Sequence, residues 1–430
     1  MYASNVIAGP FRGTPACELG LSRISNSLRT KIFTLTSLVA ECPFCTAFNC
    51  GVGKPKPIKL MPTDLSEKER AALNVVSSAT AIPAARSERM RNAVVKHYGE
   101  SGLQQIGLLC GFMSLWNTVN ELLCVDIDPS VTEYASIVLQ GTGWNTDKRK
   151  TAPVIPPSKQ KPTKPSHPSA LTALKHAVKI SKSNTTLLKE FPSYVTGLND
   201  WALKHFGFIP RYLLSMISLE SRRVFCYNLS ISLFAGSDTP AHLPFPYGLT
   251  VREKIILGFI FFTSIPNYYL ASHFAKLAAD RKIPTTALLE ALKQSKSKTQ
   301  DVQDFMSIVR LLTSKIAVRD SEHYDISPLL LPVSNNNARV VLEVVTVLGS
   351  FALMHRYSAV WDDEMGLEPE VKDVVKGFYG KEIGLGDCDY SANCSDGTSR
   401  NVTGIGGASG MSYQHTPAKE GQLWGGGVKY

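Results

Sequence analysis

An all-α fold is what this chain of 430 residues predicts, and three observations carry that prediction. Apolar residues recur at helical spacing through several long stretches. Period-two alternation is missing over any useful length. No Asn-Gly or Asp-Gly turn sits between β-branched strands. With 44% hydrophobic and 19% charged residues, the chain has material for one large core or two moderate ones.

Taken in order, the elements group into two modules, at 18–140 and 169–380. The first opens with LRTKIFTLTSLVAE, an apolar helix whose end at Glu41 is followed at once by Cys42-Pro43-Phe44-Cys45. Proline suits the first helical position because its missing N–H costs nothing there, so a second helix is predicted from Pro43. Ser66 followed by Glu69 has the form of a capping box and predicts a helix start. The run at 103–125, LQQIGLLCGFMSLWNTVNELLCV, sets its bulky apolar residues on roughly one face. In the second module Thr250 is placed to cap VREKIILGFIFF, and a buried helix is expected over 338–354. Its β-branched VVLEVVTVL stretch is the least helix-like of these segments.

The two modules also align as a repeat. Setting Cys42 against Pro266 puts Cys45 opposite Tyr269 and Asn49 opposite His273, and each half then ends in a long apolar helix. Between the modules, 141–168 is a Pro/Lys-rich linker. The stretch 144–168 carries six Lys/Arg against one Asp, with six prolines. This one segment supplies about half of the net charge of +10. Proline favours extended, solvated chain, and no aromatic residues interleave with the basic ones as a single-strand platform requires, so no nucleic-acid partner is expected. The stretch 381–430 is expected to be a disordered tail, since 384–430 holds 11 glycines and few large apolar residues. Its DCDYSANCSDGT lacks the glycine and the closing carboxylate of a calcium loop.

Several classes are set aside on composition. Apolar runs at 255–265 and 340–354 are interrupted by Gly258 and Glu343 and fall short of the ~18–20 residues of a span, so no membrane partner is expected. The start lacks a secretory layout. A cytoplasmic site is expected, with a mitochondrial address left open by Arg12, Arg23, Arg29 and Lys31. The four Asn-x-Ser/Thr sites (Asn184, Asn228, Asn393, Asn401) then read as chance. Nine cysteines are too sparse for a disulfide framework. Cys17, Cys110, Cys124 and Cys226 read as small core residues, leaving Cys42, Cys45 and Cys50 as the cluster where chemistry is sought.

A C-x-x-C at the first turn of a helix can bring two sulfurs to bonding distance with little backbone movement. The unpaired N–H groups of that turn favour a thiolate, and a thiolate with a resolving partner is what peroxide or disulfide reduction needs. Two other uses stay open: simple burial, or half of a zinc site with Cys50 and a distant ligand such as His97, although no second C-x-x-C exists. No Gly-rich phosphate loop appears in the ordered part, and no cofactor is expected.

An apolar helix, C-P-[YF]-C, a downstream S-x-x-E-R and an apolar helix with Trp-Asn together resemble the AhpD-like, or carboxymuconolactone decarboxylase-like, superfamily. The resemblance covers roughly 20–135, and 185–372 with FGFIP at 206–210. It implies an all-helical fold in which a tandem copy acts as a fused dimer, either monomeric with pseudo-dimeric halves or further homo-oligomerised. It implies thiol-dependent hydroperoxide reduction, with Cys45 attacking, Cys42 resolving, and a protein or small-molecule thiol as reductant. The relay histidine and glutamate of that branch fall here on Asn49 and Thr30. His273 stands at the histidine position of the second half, with Glu253 near the glutamate position. An amide cannot serve as a general base.

Three functions follow as expectations. One is a thiol oxidoreductase reducing a hydroperoxide or disulfide through Cys42 and Cys45, with Asn49, His273 and Glu253 as accessory residues. Another is an impaired AhpD-like binding or scaffold protein. A lactone decarboxylase resting on His273 and Glu253 is the third. His97 is expected on a polar turn, and His205 and His355 in packing roles. Phe112, Met113 and Trp116 are expected in the core.

Overall fold

In a computed structural model of the chain, the described residues are 24–50, 60, 64–82, 84, 88–123, 125–127, 129–140, 142–146, 191–216, 219–238, 248–265, 267–296, 304–318, 338–361 and 366–379. Among them every regular element is helical. The all-α prediction therefore holds for these residues. Most of the linker segment and all of the Gly-rich C-terminal stretch lie outside them, as do Cys17 and Cys124.

Helix α1 (Asn26–Val39) starts where Ser25 Oγ accepts the Leu28 N–H at 3.2 Å. It ends at Ala40, and Glu41 takes a left-handed φ of 57° that turns the chain into α2 (Pro43–Asn49). A non-glycine residue in that region costs about 1 kcal/mol. Helix α3 (Glu67–Thr80) has the capping box expected at Ser66, whose N–H donates to Glu69 Oε2 at 3.0 Å. Helix α4 (Glu88–Leu122) is broken at Gly99, where φ is 69°, and is followed by α5 (Pro129–Val138). His97 sits inside the first part of α4, where the sequence predicted a polar turn. Its Nε2 lies 3.5 Å from Glu67.

The second half runs α6 (Val195–Phe206), α7 (Arg211–Leu214), α8 (Leu219–Ser232), α9 (Val251–Ser264), α10 (Tyr268–Asp280), α11 (Thr285–Gln294), α12 (Phe305–Val318), α13 (Ala338–Trp361) and α14 (Pro369–Tyr379). Thr250 caps α9 as predicted, in a capping box completed by Glu253. The β-branched stretch of α13 is helical because tertiary burial overrides propensity: Val344, Val345, Val347 and Leu348 are all buried. This helix is long and apolar enough to cross a membrane, which the sequence did not anticipate because Glu343 interrupts the run. Of its most apolar window, 78% is buried inside the protein. Glu343 itself stays within the helix and faces Lys254 of α9, Nζ to Oε1 at 2.7 Å. Burial pulls the Lys254 ammonium down from its ordinary value, and Glu343 offsets only part of that pull.

Two hairpins have the same build. In α1–α2 the Cys42 N–H donates to Ser37 O at 2.9 Å, and in α9–α10 the Asn267 N–H donates to Phe262 O at 3.3 Å. The caps are equally spaced, Ser25 to Cys42 and Thr250 to Asn267. Cap-to-cap pairing matches Cys42 with Asn267, one residue along from the alignment that set Cys42 against Pro266. His273 is thereby opposite Phe48, and Asn49 is opposite Phe274.

The halves meet along α4 and α13, the most extensively packed pair of helices among the described residues. Leu115, Val119 and Leu122 of α4 belong to the large core of the second half, and Ala359 and Val360 of α13 belong to the core of the first. The crossing is close because glycine lines it: a Cβ on Gly111 would lie 2.9 Å from the Leu353 carbonyl oxygen, and one on Gly349 3.3 Å from that of Leu115. Arg356 of α13, itself buried, donates through Nη1 to Ala79 O at 2.9 Å and Ala81 O at 3.0 Å, satisfying carbonyls at the end of α3.

Gly111→Val should force these two backbones apart and lower the urea midpoint by the equivalent of about 1–3 kcal/mol, the range typical of overpacking. An unchanged midpoint would show that the crossing tolerates separation.

Candidate functional site

Cys42 is the N-cap residue of α2 and Cys45 lies in its first turn, with Pro43 between them at the first helical position. Neither is in a disulfide. Both are sealed, with 1% and 2% of their surface exposed. They pack with Met113 of α4 into a small apolar cluster closed by Phe33, Phe44 and Trp116. Of the three residues expected in the core, Met113 is buried, while Phe112 and Trp116 are half-buried and pack against the core from its edge. Trp144 Nε1 donates to Pro43 O at 3.3 Å and pins the start of α2. Phe48 stacks on Phe44 and stands 56% exposed on the outer side of the same helix.

The polar contacts around the couple come from α4 and from the end of α2. Asn120 Nδ2 donates to Cys45 Sγ at 3.2 Å. Asn49 Nδ2 donates to Met113 Sδ at 3.3 Å and lies 3.5 Å from Ser37 Oγ. Asn49 therefore braces the floor of the cluster and does not meet either thiol through these bonds. Thr30, at the glutamate position, donates its hydroxyl to Asn26 O within its own helix. Cys50 belongs elsewhere: it donates to Ala47 O at 3.0 Å and packs with Leu60, Ala135 and Leu139. Burial pushes its thiol up to about 11, so it stays protonated at neutral pH. Cys50 and His97 do not join Cys42 and Cys45, and among the described residues no group of three or more His, Cys, Asp or Glu could hold a metal ion.

His273 and Glu253, expected to act together, do not. Glu253 Oε2 accepts the Thr250 N–H at 2.7 Å, which fixes it as a helix cap. The carboxylate that meets His273 is Glu368, Nε2 to Oε2 at 2.8 Å, fully buried on the histidine side. The other Glu368 oxygen accepts the Tyr269 hydroxyl at 2.8 Å and the Arg211 N–H at 2.7 Å. Phe208, Tyr212 and Tyr269 enclose the imidazole at ring separations of 4.8, 6.0 and 4.3 Å. His273 Nδ1 and the Tyr212 hydroxyl are buried without a hydrogen-bond partner. Glu368 was missed in the sequence because it lies far from His273 along the chain. The available signal was an acidic residue directly before Pro369, where its carbonyl accepts the first N–H groups of α14.

Among the described residues, His205 and His355 take packing roles. His205 lies against Trp201 and Phe234, and burial lowers it to about 4. His355 Nδ1 receives Asn267 Nδ2 at 2.9 Å, a bond that fixes its tautomer with the proton on Nε2. A cavity of about 30 Å³ lies between the halves, lined by Asn117, Glu121, His355 and Arg356 on one side and by Phe261 and Ile316 on another. It has room for roughly two waters. Neither Cys42, Cys45 nor His273 lines it.

Compared with family models, curated proteins and solved structures, the chain matches none.

Burial alone would raise the Glu368 carboxyl, but the His273 charge and hydrogen bond together with the Arg211 N–H outweigh it and hold the group at about 2, against an ordinary 4.5. A depressed carboxylate stabilises the fold above 4.5 and loses that contribution as pH falls toward 2. Between pH 5 and pH 3 the unfolding free energy of the wild type should therefore fall by about 2 kcal/mol more than that of Glu368→Gln. Parallel urea titrations at the two pH values check this, and equal losses would remove the ion pair as a source of acid sensitivity.

Proposed function

We propose that the chain is a thiol-dependent oxidoreductase of the AhpD-like kind, with two degenerate modules fused in tandem and the working thiols confined to the first. The observation that supports it is the placement of Cys42 and Cys45 as a reduced pair at the cap and first turn of one helix. Two sulfurs so placed can close a disulfide without refolding the helix. Phe33, Phe44, Met113 and Trp116 pack around the pair, and its oxidant is a hydroperoxide or a disulfide.

The steps balance as follows. The Cys45 thiolate attacks the distal peroxide oxygen; the O–O bond breaks, the departing alkoxide takes a proton from water, and Cys45 becomes a sulfenic acid. The Cys42 sulfur then attacks Cys45 Sγ, expelling water and closing the disulfide. An external dithiol returns two electrons and two protons to the pair. With Asn49 in place of a relay histidine, no side chain in this cluster shuttles protons, so turnover is slow.

A second function, an impaired binding or scaffold protein, is favoured by the sealing of both sulfurs at 1% and 2% exposure. In that case the C-x-x-C packs the end of α1 against α4 and nothing more. Lactone decarboxylation loses its footing, since Glu253 caps a helix and His273 is committed to Glu368. A cytoplasmic or mitochondrial setting, both reducing toward exposed thiols, suits either of the two.

Peroxide consumption with dithiothreitol as reductant separates them. The wild type should exceed Cys45→Ser by at least about tenfold, and Cys42→Ser should accumulate a sulfenic acid that dimedone traps. Equal rates for wild type and Cys45→Ser would leave the scaffold function.

A further inference from the structure

The polar atom that meets Cys45 Sγ belongs to α4, a helix with no part in the C-x-x-C motif. Asn120 sits in the last turn of that helix, where its own carbonyl accepts the Val125 N–H at 3.1 Å and holds the residue in place. Its amide nitrogen reaches Sγ at 3.2 Å, while Met113, Phe33, Phe44 and Trp116 supply apolar packing around the couple. In such surroundings one donor matters more than it would in water, because nothing else replaces it.

We infer that Asn120 is a positioning residue that sets the redox poise of the Cys42–Cys45 couple by stabilising its reduced form. This rests on the thiol-oxidoreductase function proposed above and adds to it the group that tunes the thiols. The half-reaction is disulfide plus two electrons and two protons giving two thiols. A reduced sulfur carries more negative charge than a disulfide sulfur and is the better acceptor, so an N–H aimed at Cys45 favours the dithiol side. The couple is thereby more oxidising than the same pair without the donor. Asn120 touches neither peroxide nor reductant and acts only through Cys45.

The contact falls on Cys45, in the first turn of α2, while Cys42 stands at its cap, at the end of the turn made by Glu41. Asn49 and Asn120 are both amides on sulfur, yet only the second is on a cysteine; the first is on the Met113 thioether. Losing Asn49 should therefore loosen packing and leave the poise of the couple alone.

Equilibration of the full-length chain in glutathione redox buffers, read by mass after thiol alkylation, tests the inference. Asn120→Leu removes the donor, and Asn120→Asp keeps the shape while presenting only acceptors. Each should shift the dithiol–disulfide equilibrium roughly tenfold toward disulfide, a fall of about 30 mV for a two-electron couple. Asn49→Leu should not shift it. A potential unchanged or raised in Asn120→Asp would overturn the inference, as would an equal fall in Asn49→Leu, and so would failure of the wild type to form the disulfide in any buffer. The peroxide assay stays separate: a wild type that forms the disulfide with an Asn120-dependent potential, yet consumes peroxide no faster than Cys45→Ser, would sink the peroxidase function and leave the tuning in place.

Discussion

The close crossing of α4 and α13 is the constraint on which the rest of the structure depends. Helix axes approach this closely only where side chains are absent from the contact, and Gly111 and Gly349 supply that absence from opposite sides. Once the two helices are in register, Arg356 reaches the end of α3 and the upper part of α13 completes the core of the first half. Leu115 and Val119 do the same for the second half. Residues on either side of the expected linker therefore share core, and the boundary drawn at 141–168 divides the sequence more sharply than it divides the packing.

The same crossing positions the helix that faces the cysteine pair. One face of α4 carries Met113, Trp116 and Asn120 toward the C-x-x-C turn, and the adjacent face carries Ser114, Asn117, Thr118 and Glu121 toward the cavity between the halves. Asn117 Nδ2 also donates to Thr36 O, tying α4 to α1 at the level of the thiols. A long helix thus serves two environments that differ in polarity, one apolar and sulfur-lined, the other lined by charged and amide groups together with apolar ones. The buried His273–Glu368 pair does comparable work in the second half, drawing together α10, the start of α14 and the chain entering α7. A carboxylate taken from water is costly unless donors replace its hydration, and Glu368 meets three: His273 Nε2, the Tyr269 hydroxyl and the Arg211 N–H.

The two hairpins show how a shared backbone can carry different chemistry. The turn that places Cys42 at a cap places Asn267 at the equivalent cap, where its side chain accepts from Leu270 N and donates to His355. A cysteine is a weak capping group; asparagine is a strong one. One hairpin places a weak capping group at its second helix, and the other places the residue that best closes it.

Local signals read from the sequence alone were those set by neighbouring residues. The capping boxes at Ser66–Glu69 and Thr250–Glu253, the proline at the start of α2 and the apolar face of α4 depend on contacts within a few positions, and the all-helical class follows from them. The cysteine pair was visible for the same reason. What only the tertiary structure decided are long-range partners: Glu368 on His273, Asn120 on Cys45 and Glu343 on Lys254. Sequence periodicity says which face of a helix is buried but not which helix it meets, and a donor nearly a hundred residues away leaves no mark near its acceptor. The cysteine pair was therefore legible in the sequence, and its surroundings only in the geometry.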